Sequence, residues 1–91
     1  RKKSRTFAEA QTVMLSAGSG KSLFVAEGFA HGFLTLEENT MVNYVVSSSH
    51  NPEADKGILW SSLDLHWPVN SPILSERDRN FLPLNNYKSP F

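Results

Sequence analysis

Phe24–Val46 reads FVAEGFAHGFLTLEENTMVNYVV, and the middle of this stretch decides the expected fold. Two apolar runs, Phe29–Leu36 and Met41–Ser47, flank the polar tetrapeptide Glu37-Glu38-Asn39-Thr40. β-Branched and aromatic residues bounded by turn residues predict two strands with a four-residue loop. In that register Leu36 faces Met41, Phe33 faces Tyr44 and His31 faces Val46. Opposed residues share a face, and so do alternate residues along a strand. His31, Phe33, Thr35, Val42, Tyr44 and Val46 then line one side of the hairpin. His31 and Tyr44 become diagonal neighbours, roughly 7–8 Å apart by backbone spacing. An imidazole and a phenol on one aromatic face fit a small polar pocket inside a rolled-up sheet. They also fit a pair of core residues whose polar tips bond to backbone.

Outward from this hairpin the pattern stays β-like. Thr6–Leu15 alternates without Gly or Pro and predicts a strand; Leu23–Val25 and Gly57–Trp60 predict shorter ones. Ser16–Ser22 is rich in Gly and Ser and predicts a turn. Ser48–Lys56 reads as a polar loop. Residues 61–74 read as irregular, with Pro68 and Pro72 interrupting regular pairing. Ser75-Glu76-Arg77-Asp78 carries a Ser with an acid three residues on, the signature of a capped helical turn over 75–80. That cap accounts for Asp78, and Arg77 reads as a surface cation. Residues 82–91 read as an extended tail. Short strands between turn signals imply an all-β sandwich or barrel in a single domain, 1–91.

Composition narrows the function classes. The 91 residues carry nine Lys and Arg against nine Asp and Glu. A neutral chain is a poor general binder of nucleic acid or anionic membrane. Arg1, Lys2, Lys3 and Arg5 hold four of those cations, so the remainder is acidic. The absence of cysteine excludes disulfides and thiol chemistry, and it fits a reducing compartment. No apolar run approaches the ~20 residues of a membrane-spanning helix. A domain this small buries only about 60–65% of its unfolded surface, which favours a partner chain. The first residue is Arg rather than Met, which reads as a processed or truncated piece.

Two tempting motifs fail on spacing. Gly20-Lys21-Ser22 resembles the end of a phosphate loop, but Leu15 stands where the first Gly belongs and an apolar run follows instead of a helix start. His31, His50 and His66 match no common metal-ligand spacing.

Four phrases carry a family resemblance. They are FVAEGFAHGFLTL (Phe24–Leu36), Tyr44, NPEADKGILW (Asn51–Trp60), and Trp67-Pro68 leading to PILSERD (Pro72–Asp78). Ser4-Arg5-Thr6-Phe7 adds an opening phrase. In order and spacing they resemble the dTDP-4-dehydrorhamnose 3,5-epimerase family over nearly the whole chain. The resemblance implies a cupin-type antiparallel β-barrel or jelly roll, here an incomplete C-terminal part of one. It implies a cytoplasmic homodimer with no metal or organic cofactor. It also implies a nucleotide-linked 4-keto-6-deoxy sugar as substrate, with dTDP as the nucleotide. The product would serve synthesis of rhamnose or a related sugar for surface polysaccharide such as O-antigen.

The implied chemistry follows from the ketone. Hydrogens beside a carbonyl are acidic because the carbanion becomes an enolate. A base removes one from one face, and an acid returns one to the other, inverting C3 or C5. By resemblance Tyr44 is the acid, and Asp78 orients the histidine base. His31 is a pocket histidine, Asp55 a substrate-contacting acid, Arg77 a basic residue assisting with the nucleotide, and His50 a ring stacking on the base. Asp55 replaces the family's usual Glu, Arg77 its frequent Lys, and His50 its common Tyr. The family's catalytic His and enolate-stabilising Lys fall upstream of residue 1 in this comparison. These 91 residues alone are therefore expected to be inactive. The rival readings are a ketoisomerase of the same fold and a non-catalytic sugar-binding or assembly module.

Overall fold

A β-strand needs a neighbour at hydrogen-bonding distance along its length, and no segment of this chain has one. The computed structural model describes residues 1–91. Its regular elements are three 3₁₀ turns, Ala17–Ser19, Trp60–Ser62 and Leu84–Asn86, and one helical turn, α1, Glu76–Arg79. The single sheet-like contact is an isolated parallel bridge between Ile58 and Leu82. The all-β barrel or jelly roll expected from the sequence is absent. Thr6–Leu15, Leu23–Val25, Phe29–Leu36, Met41–Ser47 and Gly57–Trp60 form no strands.

Backbone bonding gives the physical reason. The chain makes 15 backbone–backbone hydrogen bonds. A folded domain of this length makes about 60. Only two of the 15 join distant segments: Lys2 N–H to Phe91 O at 3.2 Å, and Leu59 N–H to Leu82 O at 2.9 Å. The rest close local turns. Alternation makes one face of a segment apolar, but that face drives strand formation only when something covers it. Here Phe24 is 89% exposed, Met41 83% and Val45 99%. No residue is fully buried, and the accessible surface is 8819 Å². Size scaling gives about 5,300 Å² for a close-packed domain of this mass. At the start of the predicted first strand the backbone bends instead. Phe7 and Glu9 donate to the carbonyls of Ser4 and Thr6, and Ala8 adopts φ 68°.

The locally encoded features do form. Within 16–22, Ser19 N–H and Oγ–H both donate to Ser16 O, and Gly20 closes the turn at φ 66°. Only glycine takes that left-handed conformation without steric cost. Between 37 and 40, Thr40 Oγ–H donates to Glu37 O at 2.6 Å, and Asn39 sits at φ 56°. The loop of the expected hairpin exists without its strands. The capped turn expected over 75–80 is α1, with Ser75 as its N-cap.

Packing is concentrated in residues 57–87. Ile58, Leu59, Trp60, Leu63, Leu65, Trp67, Leu74, Phe81, Leu84 and Tyr87 are half-buried there. Trp60 and Trp67 meet edge to face, with centroids 5.8 Å apart and planes at 76°. Trp67 Nε1–H donates to Trp60 O at 3.2 Å, so the ring is also fixed by its polar end. Ser62 Oγ–H donates to Leu59 O at 2.6 Å and the same oxygen accepts Leu84 N–H at 2.9 Å. With the Ile58–Leu82 bridge, this hydroxyl pins 58–62 against 82–84. The pinning places the loop ending at Asp55 beside α1.

Candidate functional site

The site is built on α1 and the segment that enters the Ile58 bridge. Ser75 Oγ accepts Asp78 N–H at 3.1 Å, satisfying a donor that a helix start leaves unpaired. Arg79 Nη2 donates to Leu74 O at 3.2 Å, which ties the turn back to its entry. These contacts set the direction of Arg77. Its guanidinium lies 5.0 Å from the centroid of the Phe81 ring, four residues on. On its other side Nη2 donates to Asp55 Oδ1 at 2.5 Å. Its Nη1 stands 3.9 Å from Asp78 Oδ1. His50 Nδ1 is 4.0 Å from Asp55 Oδ2 and forms an ion pair there when protonated.

The Asp55 loop is ordered locally as well. Asn51 Oδ1 accepts Glu53 N–H at 3.1 Å, and Asn51 O accepts Ala54 N–H at 3.1 Å. This side-chain-supported turn at Asn51-Pro52 directs the chain toward Arg77. Gly57 then passes directly under Phe81. A Cβ at position 57 would overlap the Phe81 ring, so only glycine lets the backbone run this close.

A hollow of about 310 Å³ opens beside the ion pair. It is lined by Asp55, Lys56, Gly57, Arg77, Asn80, Phe81, Leu82 and Tyr87. A larger hollow of about 430 Å³ lies between Arg1–Lys3 and Phe91, away from every candidate residue. The chemistry favours the smaller one. Two cations, an amide, a phenol and an aromatic ring converge there, which suits a ligand with an anionic part and a flat part.

Four of the six residues singled out in the sequence therefore meet: His50, Asp55, Arg77 and Asp78. Asp55 and Arg77 are 22 residues apart in sequence and directly bonded in space. His31 and Tyr44 do not join them. Their expected hairpin is missing, so they do not share a sheet face, and Tyr44 is 77% exposed rather than turned into a cavity. Phe81 and Gly57 escaped the sequence reading. Arg77 and Phe81 stand at the i, i+4 spacing that brings side chains together on a helical turn, so that neighbour was detectable. Nothing local marks Gly57.

Comparison with known proteins addresses the same residues. Residues 1–86 match the family model described as dTDP-4-dehydrorhamnose 3,5-epimerase. The dTDP-4-dehydrorhamnose 3,5-epimerase of Methanothermobacter thermautotrophicus is 44% identical over 89 residues, covering 92% of this chain and 48% of the relative. The protein of the same name from Shigella flexneri is 40% identical over 82 residues, covering 88% of this chain and 45% of the relative. That from Sinorhizobium fredii is 36% identical over 78 residues, covering 82% and 40%. The chain thus spans about half the length of the curated relatives it matches. No solved structure matches it. The span of the family match includes the Asp55–Arg77 cluster and Tyr44, and by that match the chain belongs to the dTDP-4-dehydrorhamnose 3,5-epimerase family.

Proposed function

We propose that this chain takes part in epimerising a nucleotide-linked 4-keto-6-deoxy sugar at C3, C5 or both, with dTDP as the nucleotide. One observation carries the reading beyond family membership. The matched phrases around Asp55 and around Arg77-Asp78 are remote in sequence and meet at one ion-paired hollow. In the reaction a base takes the proton beside the carbonyl, and the electron pair moves onto the carbonyl oxygen as an enolate. An acid returns a proton to the same carbon from the opposite face. The centre inverts with no net oxidation. Tyr44 is the acid in this reading. Its assignment rests on the family resemblance alone, since its ring stands apart from the cluster. Asp78 holds the base's imidazole in one tautomer and favours its charged form. None of His31, His50 and His66 takes the role of that base. Arg77 assists with the nucleotide, His50 stacks on its base, Asp55 contacts the substrate and His31 lies in the pocket. The same resemblance supports a homodimer working in the cytoplasm on sugars for surface polysaccharide.

The test is solvent deuterium incorporation at C3 and C5 of the keto sugar by the whole protein. Exchange at either position with inversion supports the proposal. Substrate binding with no exchange refutes it, and a displaced carbonyl in the product identifies a ketoisomerase. Tyr44→Phe is expected to cut product formation far more than proton exchange at the base's face. Equal loss of both refutes its role as the acid.

A further inference from the structure

The Arg77 guanidinium has two carboxylates for neighbours, Asp55 and Asp78, and one neutral support, the Phe81 ring. The two carboxylates compete with an anionic ligand for the guanidinium, while Lys56 at the hollow offsets part of their charge. A phosphate bonding Arg77 competes with these carboxylates, and Asp55, which itself lines the hollow, holds Nη2. Once Asp55 lets go, the bond that fixes the guanidinium is gone. The ring remains. It sits 5.0 Å from the guanidinium carbon, carries no charge to repel a phosphate, and is wedged against the backbone of Gly57.

From this geometry we infer that Phe81 is a positioning residue: it holds the Arg77 guanidinium toward the hollow for the phosphates of a nucleoside diphosphate, and glycine at 57 makes room for it. The inference rests on the proposed nucleotide-sugar reading of the same hollow. Lys56 and Asn80, which also line it, supply further donors to such phosphates. Phe81 touches no reacting atom. It acts through Arg77, whose long side chain would otherwise sample many rotamers.

The test measures dTDP affinity of the whole protein by calorimetry and, in parallel, the ring-current shift of the Arg77 side-chain protons by NMR. A cation–ring contact at an exposed site corresponds to about a 2- to 5-fold change in affinity. Phe81→Leu is expected to abolish the shift and weaken dTDP by that factor, and Phe81→Tyr to keep both. Gly57→Ala, which pushes the ring away while leaving Phe81 and Arg77 intact, is expected to reproduce the Leu phenotype. If Arg77→Ala weakens dTDP while Phe81→Leu and Gly57→Ala do not, the positioning role is wrong and the nucleotide reading survives. If dTDP binds equally well without Arg77, or does not bind at all, the reading of the hollow falls and the inference falls with it.

Discussion

Asp55→Asn keeps the shape of the side chain and removes the charge that Arg77 pairs with. The loss is calculable from position. Asp55 is 35% exposed and Arg77 55%, so water screens the pair strongly. Unit charges 4 Å apart attract by about 1 kcal/mol in bulk water and about 4 kcal/mol at the effective dielectric of a protein surface. Ordering two flexible side chains takes back much of this, and measured exposed pairs contribute about 0.2–1 kcal/mol. The short Nη2–Oδ1 separation places this pair near the upper end. Through Arg77 it anchors α1, whose Arg79 N–H donates to Ser75 O at 3.1 Å and whose Asn80 N–H donates to Arg77 O at 3.2 Å. Hydrogen exchange of those two amides is the assay. At low salt Asp55→Asn is expected to speed their exchange by about 2- to 5-fold, the factor equivalent to about 0.5–1 kcal/mol. At 1 M salt the Debye length shrinks to about 3 Å and most of the difference should vanish. Arg77→Gln should give a similar change, and the double variant should add little to either. Two strictly additive single effects, or a loss that persists at 1 M salt, refute the idea that this ion pair steadies α1.

Three further outcomes follow from single contacts. Ser62→Ala removes a hydroxyl that bonds both Leu59 O and Leu84 N–H, so it should cost about 1–2 kcal/mol locally and expose the Leu84 amide to exchange. Trp67→Phe keeps an aromatic edge on Trp60 but loses the Nε1–H bond to Trp60 O, and is expected to cost about 0.5–1.5 kcal/mol with a change in near-ultraviolet circular dichroism. Ser75→Ala deletes the cap of α1 and should cost about 1 kcal/mol of helical turn, read as lost protection at Asp78 N–H; Ser75→Asp should restore it.

Much of the site was legible in the sequence because its parts are chemical or local. The Ser-x-x-Asp spacing foretold the cap at Ser75, and the family resemblance singled out Asp55, Arg77, Asp78 and His50. Their meeting was not legible, since no local rule brings residue 55 to residue 77. Phe81 could have been found from its spacing to Arg77, whereas the demand for glycine at 57 arises only from a ring contributed by residue 81.

The sequence by itself determined the turns and the family. Gly20, Asn39 and Ser75 act within three or four residues, so their hydrogen bonds close whatever the rest of the chain does. Tertiary structure alone decided whether the alternating segments became strands. Phe29–Leu36 and Met41–Ser47 carry the pattern of a hairpin, and its loop at Glu37–Thr40 turns as expected. A strand, however, is stabilised by hydrogen bonds and side-chain cover from a neighbour. Those segments find neither here, and their backbone groups and apolar faces remain in water.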